Sequence, residues 1–397
     1  MRFFNKKTMP AMLGAGIEYY DLALYGYLAP VLAPVFFPSF KLTTAYFFYF
    51  SIEFFSSIIQ ILGAQWFGRM GDRIGRKKAL YSSMLGTSLV TGFMSLIPGY
   101  AQLGFFATAL FILARISQSF FLGGEYNGGA IYCLEHEKNT DQHGYISGVY
   151  CAFTVIGILC ASAIATLVYA VGSSYFRVAY LLSFIFAICT LRWRTKMRET
   201  PEYEQAQGDT TRPIFVTMMT LVIASVFVGL LHGIPSRVFN ALLPIQTGID
   251  QKTLMLINTL FLSVYTLLMV LFGYFSDRVG ARKVMFTSAL TTALLSYPLF
   301  VLIKTNELSL ILFVKSVYVI LAAAFAGPFH ALAQSMFSVG HRYVSISTCY
   351  ACGKCISTLT IALSFLLYEK TGSIVSISGI LIFLSLVAMV SLRRKYV

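Results

Sequence analysis

Apolar runs of about 20 residues, enough for a helix rising about 1.5 Å per residue to cross roughly 30 Å of hydrocarbon, recur along the whole chain. A chain with so many such runs has only one solvent that fits it. Of its 397 residues 57% are hydrophobic and 12% charged, and the mean hydropathy is +0.74, whereas about 25% of a soluble domain is charged. The runs predict twelve transmembrane helices over 9–36, 43–67, 79–98, 103–134, 144–170, 176–192, 214–234, 253–275, 284–303, 308–337, 343–368 and 373–392. The longest polar stretch, 193–213, falls in the middle. It divides the chain into an N-terminal six-helix half (1–192), a connector (193–213) and a C-terminal six-helix half (214–397).

The net charge of +14 raises the question of nucleic acid. The positions of the basic residues answer it. With a cytoplasmic N-terminus the inner segments carry Arg2, Lys6, Lys7, Arg69, Arg73, Arg76, Lys77, Lys78, Lys138, Arg192, Arg194, Lys196, Arg198, Arg212, Arg278, Arg282, Lys283, Arg342, Arg393, Arg394 and Lys395. The outer segments carry only Lys41, Arg177, Arg237, Lys252, Lys304 and Lys370. This asymmetry places both termini in the cytoplasm and needs no nucleic-acid partner.

One segment occurs twice. Gly68-Arg-Met-Gly-Asp72-Arg73-Ile-Gly75-Arg76-Lys-Lys returns as Gly273-Tyr-Phe-Ser-Asp277-Arg278-Val-Gly280-Ala-Arg-Lys, each copy between the second and third span of its half. Duplicated halves are a common transporter plan. Glycine permits a tight turn, the aspartate can cap a helix or hold an arginine, and the basic residues keep the loop on one face of the membrane. Gly68, Asp72, Arg73, Gly75 and Arg76, with Gly273, Asp277, Arg278 and Gly280, are thus candidate gating-loop residues, with simple topological anchoring as the alternative.

These loops resemble the G-x-x-x-D-R-x-G-R-R/K signature of the major facilitator superfamily. Within it, three further stretches resemble the metabolite:proton symporter family, which includes transporters of proline and betaine, α-ketoglutarate, citrate and shikimate. They are Gly14-Ala-Gly-Ile-Glu18-Tyr-Tyr-Asp21-Leu-Ala-Leu-Tyr25-Gly26, Arg115-Ile-Ser-Gln118-Ser-Phe-Phe-Leu-Gly123-Gly124-Glu125-Tyr126, and Glu199-Thr200-Pro201. The chain departs from the family at Gln60-Ile61, where the family has Arg-Pro, at Ser119, where it has Gly, and at His143-Gly144, where it has Arg-Gly. The resemblance implies an all-α membrane protein of two pseudo-symmetric halves, proton-coupled symport of a small zwitterion or organic acid by alternating access, a monomer, and a bacterial cytoplasmic membrane.

Charged residues within the spans single out a site. Glu18, Asp21, Glu53, Arg115, Glu125, Lys315 and Lys354 lie at membrane depth. At about 2.5 to 3.5 kcal/mol each at a helix centre, they must face one another or water rather than lipid. Glu18 and Asp21, three residues apart, share one helix face with Tyr25. Two carboxyls on one buried face repel each other when both are charged, which suits one of them to carrying a proton. Glu18, Asp21, Glu125 and Arg115 are therefore the proton-coupling candidates, and a pair between Arg115 and Glu18 or Asp21 is expected; the alternative is an ion pair that only holds helices together. Tyr25, Arg115, Gln118, Lys315, Lys354 and His232 are the substrate-binding candidates, the two lysines for a substrate carboxylate. Snorkelling is the alternative for the lysines, and a purely structural role for His232 and for His330.

Cys349-x-x-Cys352-x-x-Cys355 has the spacing of a metal site but lies in an apolar helix without a fourth ligand, and its spacing also matches a stripe of small residues. No metal and no cofactor is expected. No phosphate-binding G-x-x-x-x-G-K-S/T loop occurs in the sequence, and no enzyme constellation stands at a helix end. The readings that compete with symport are a facilitator or exchanger on the same fold, and a transport-inactive membrane sensor.

Overall fold

The computed structural model describes residues 7–38, 42–137, 139–206, 214–247 and 251–393. Arg2, Lys6, Lys41, Lys138, Arg212, Arg394 and Lys395, and 207–213 of the connector, lie outside the described residues. The described chain is all-α, with no strand. Its twelve long helices are α1 (Met9–Tyr27), α2 (Leu42–Arg73), α3 (Arg76–Leu96), α4 (Phe105–Glu135), α5 (His143–Val171), α6 (Phe176–Arg194), α7 (Phe215–Gly233), α8 (Gln251–Val279), α9 (Ala281–Ile303), α10 (Leu308–Ala326), α11 (Arg342–Thr371) and α12 (Ser378–Arg393). Among the described residues, α4 to α12 lie in nine segments long and apolar enough to cross a bilayer. The first three helices are more polar because α1 holds Glu18 and Asp21, α2 holds Glu53 and Gln60, and α3 is rich in serine and threonine.

Several boundaries differ from the sequence reading, among them the first span, which divides into Met9–Tyr27 and Ala29–Phe36, and three of the others have identifiable reasons. Helix α2 does not stop near residue 67. It runs to Arg73, because nothing before Gly75 breaks it, so most of the repeated segment is helical rather than loop. Gly75 and Gly280, at φ +117° and +101°, make the sharp turns into α3 and α9, a conformation open to glycine and strained for other residues. The tenth span is broken at Gly327-Pro328 and resumes as a short helix, Phe329–Ser335, since proline offers no N–H to continue the ladder. Helix α7 passes through a π-helical turn, Ile234–Val238, into a further helix, Phe239–Thr247.

The helices form two compact units. One holds residues 1–136, 153–212 and 338–351, and the other 137–152, 213–337 and 352–397. In the first unit α4 packs on α2 and α3, and α3 on α6. The α2–α4 contact depends on glycine: a Cβ at Gly63 would stand 1.8 Å from the Phe120 carbonyl oxygen, and one at Gly123 2.3 Å from the Ala64 nitrogen. Small residues let helix backbones approach this closely where lipid supplies no hydrophobic driving force. In the second unit α9 packs on α10 and α12, and α8 on α10. Large apolar side chains cover the outer faces of each unit, Leu62, Trp66 and Phe106 in the first, Leu267, Leu294 and Phe383 in the second, all more than half exposed. Such surfaces suit lipid rather than water.

Candidate functional site

The first unit gathers three sets of buried polar side chains. The innermost joins α1, α3 and α4. Asp21 and Arg115 are each 1% exposed and Gln118 is fully buried. Arg115 donates through Nη1 to Oε1 of Gln118, and its guanidinium lies 4.0 Å from the centre of the Tyr25 ring. The amide nitrogen of Gln118 donates to Thr91 Oγ1 at 2.7 Å and towards Asp21 Oδ2 at 3.4 Å, and Thr91 donates to the same Oδ2 at 2.9 Å. The direct Arg115–Asp21 pair expected from the sequence is therefore corrected to a relay. Arg115 and Gln118, three residues apart, present one helical face, and the amide offers an acceptor to the cation and a donor to the acid. Arg115 Nε has no hydrogen-bond partner among the described residues, and the buried Ser183 hydroxyl stands beside the Asp21 carboxylate without a well-formed bond to Oδ1. Glu18 is buried on the same helix as Asp21. The Tyr25 ring stacks on Tyr49 at 4.2 Å, and each hydroxyl donates to the other's carbonyl, at 2.5 and 2.8 Å.

Glu125 stands apart from this relay. It forms a buried ion pair with Arg194, whose Nη1 donates to Oε2 at 2.8 Å and whose Nη2 donates to Oε1. Arg194 also donates to the Leu80 and Pro10 carbonyls, at 2.8 and 3.3 Å, and Ser83 donates to Glu125 at 3.2 Å. One acid–base pair thus ties together α1, α3, α4 and α6.

The third set lies where α2 turns into α3. Asp72 accepts the first free N–H groups of α11, those of Tyr343 at 3.0 Å and Val344 at 2.9 Å, and so caps that helix with a negative charge. Gly68 makes room, since a Cβ there would stand 2.5 Å from Val344 Cα. Arg76, fully buried, grips both oxygens of Glu135 at 3.1 and 3.2 Å, Asp72 at 3.2 Å, and the carbonyls of Gly71 and Val339 at 2.7 and 2.6 Å. Glu135 also accepts from Thr200 at 2.6 Å and from Arg342 at 2.8 Å, and Arg342 reaches Glu202 at 2.6 Å. Glu199 caps α3 by accepting the N–H groups of Arg76 and Lys77, at 3.0 and 3.3 Å. Beside this set, burial lowers the pKa of the His136 imidazole. Arg73 is exposed, so it takes no part in the buried network.

The second unit repeats the cap. Asp277 accepts the N–H groups of Gly144 at 2.6 Å and Tyr145 at 2.9 Å, the start of α5. Gly273 and Gly144 meet backbone to backbone; a Cβ on either would stand within 2.5 Å of the other's carbonyl oxygen. Ala281 occupies the place of Arg76, and Arg278 is exposed against Tyr274, so the second copy keeps the cap without the arginine network. At the break after α10, Ser147 donates to the Gly327 carbonyl at 2.6 Å and accepts the His330 N–H at 3.1 Å, repairing the ladder that Pro328 interrupts. Lys315 is 3% exposed and donates to Asn240 Oδ1 at 2.7 Å. His232 stacks on Tyr265 at 5.6 Å, and Lys354 is half-buried on α11. The structure therefore brings Asp21, Arg115, Gln118 and Tyr25 together and leaves Glu125 to a separate pair.

Arg194, Glu135, Arg342 and Glu199 take part more deeply than the sequence suggested, where Arg194 and Arg342 appear only as topological anchors, and Arg76, a gating-loop candidate, proves to be the centre of a buried network. A signal was present for Arg194. Arg192 and Arg194, two apart, must point to different faces of a helix, and Arg194 shares its face with the buried Leu191.

Comparison with known proteins bears on the family and the fold. The Sugar (and other) transporter family matches residues 7–213, and the Major Facilitator Superfamily family matches 221–396. The proline/betaine transporter of Salmonella typhimurium is 26% identical over 421 residues, covering 98% of this chain and 82% of that one. The shikimate transporter of Escherichia coli is 26% identical over 331 residues, covering 78% and 75%. Among solved structures, the proton:xylose symporter XylE bound to 6-bromo-6-deoxy-D-glucose superposes with a TM-score of 0.79 at 15% identity, over 97% of this chain and 94% of that one. The human organic anion transporter MFSD10 superposes with 0.77 at 13%, over 98% and 99%. At such identities the two structures speak for the fold alone. The chain is a membrane transporter, not an enzyme, and it belongs to the major facilitator superfamily.

Proposed function

We propose that this transporter is a proton-coupled symporter of a small carboxylate-bearing solute, a zwitterion or an organic acid, working by alternating access with both termini in the cytoplasm. The observation that carries the coupling is the buried Asp21, with one carboxylate oxygen facing only the Ser183 hydroxyl without a well-formed bond and the other joined to Arg115 through Gln118 and Thr91. A carboxyl placed so can take a proton without breaking its relay, and Arg115 registers the change in charge. The similarity to transporters of proline/betaine and shikimate supports the solute class. The excess of basic residues on the helix ends where α2 turns into α3 and α8 into α9 supports a cytoplasmic position for them. Residues 1–192 and 214–397 then act as two six-helix halves joined by 193–213, with the Asp72 and Asp277 caps as gates that break and re-form during the cycle. Glu125 serves to anchor helices rather than to carry the proton.

Uptake of labelled proline, betaine, shikimate, α-ketoglutarate and citrate into proteoliposomes, with and without an imposed proton gradient, tests the reading. Accumulation of one compound above equilibrium only with the gradient is expected. Equilibration that ignores the gradient would make the protein a facilitator or exchanger, and no uptake of any compound would contradict the reading.

A further inference from the structure

The second unit contains a cavity between α7, α8 and α10 whose polar lining is short of negative charge. It is lined by His232 and Ser236 from α7 and its π turn, by Asn258 and Tyr265 from α8, and by Lys315 and Tyr318 from α10. Residues three, four or seven apart share a helix face, which is why each helix contributes a stripe. Lys315 is the only cationic side chain among the described residues of the lining and is 3% exposed, with its amine donating to the neutral Asn240. An ammonium carries three N–H donors, so two remain. The described acids of this unit, Glu137, Asp141, Asp277, Glu307 and Glu369, stand at or near helix ends, and none pairs with Lys315. Tyr318, three residues along the same face, is fully buried, and its hydroxyl stands beside Ser296, whose own Oγ donates to the Thr292 carbonyl at 2.7 Å.

A buried cation without a counter-charge is costly, and proteins keep one where function supplies the missing anion. We infer that this cavity takes the single carboxylate of a small solute, held by Lys315 with Tyr318 as second donor, while the stacked His232 and Tyr265 rings face the solute's body. One cation fits one carboxylate; a dicarboxylate or tricarboxylate would press its further charges against aromatic rings and Leu231, Leu262 and Val319. The inference deepens the transport reading and rests on it. Asn240 is a positioning residue: its oxygen holds the amine, and its own Nδ2 is anchored on the Ser236 carbonyl at 2.7 Å.

The test is isothermal titration of the full-length protein in lipid nanodiscs with shikimate and betaine, their carboxyl methyl esters, and citrate. At least one single-carboxylate acid should bind, its ester about 10- to 100-fold more weakly, as loss of a hydrogen-bonded charge implies. K315Q should weaken the acid by the same factor and leave the ester unchanged, a pattern that a merely structural lysine would not give. Y318F, which changes only one hydroxyl, should weaken the acid several-fold and keeps the test open if K315Q does not fold. Acid and ester binding alike, unchanged acid affinity in both variants, tighter binding of citrate, or no binding of any probe would each overturn the inference. Proteoliposome accumulation by the same variants separates the two claims. Wild-type uptake undiminished in K315Q removes the subsite and leaves transport standing, whereas Lys315-dependent binding without any wild-type uptake removes transport and leaves the subsite.

Discussion

Asp21 is joined to Arg115 through Gln118, whose amide oxygen accepts from the guanidinium and whose amide nitrogen donates towards the carboxylate and to its partner Thr91. The relay makes the three residues one energetic unit. In uptake measurements D21N and R115A should therefore be non-additive, the double variant being little worse than the poorer single one, and Q118A should abolish most of the coupling between them. Independent, additive losses would mean that the relay does not link acid and base.

The cap that Asp72 places on α11 depends on two carboxylate oxygens facing two N–H groups. An asparagine turns one of them into an NH2 group that meets a donor. D72N should lose about 1 to 2 kcal/mol of that contact, and uptake should fall about tenfold if the cap is remade in every cycle, with the amount of membrane-inserted protein unchanged. Normal uptake by D72N would reduce Asp72 to a topological anchor.

The Glu125–Arg194 pair makes the opposite kind of prediction. Removing one member leaves a buried charge unpaired, a loss of about 3 to 5 kcal/mol, so E125Q and R194M should melt well below the wild type. The double variant E125Q/R194M should recover part of that loss, and any folded E125Q should keep its proton-to-solute ratio. A changed ratio in E125Q would return Glu125 to the proton pathway.

The α2–α4 contact is tested by volume alone. G63A adds one methyl group, 1.8 Å from a backbone oxygen, and should cost about 1 to 3 kcal/mol. A melting temperature equal to wild type would show that these helices separate more easily than the packing implies.

The fold was legible because lipid forces one solution on the backbone: apolar length located the helices from α4 to α12, and the repeated segment, set between the second and third span of each half, ordered the more polar α1 to α3 with them. Charge partners were not legible. Glu125 and Arg194 are 69 residues apart, and Asp72 binds backbone N–H groups 271 and 272 residues away that no side-chain pattern marks. Asp21, Arg115 and Gln118 could be read as candidates because a buried charge needs a reason to be there. That Gln118 would mediate between the other two needed coordinates, since sequence spacing fixes the face of a helix and not what stands opposite.

The most direct test of proton coupling at Asp21 compares wild type and D21N in the same proteoliposomes, by solute counterflow without a gradient and by accumulation under an imposed proton gradient. The account predicts that wild type performs both, while D21N retains counterflow and cannot accumulate solute. Gradient-driven accumulation by D21N at the wild-type level would contradict it.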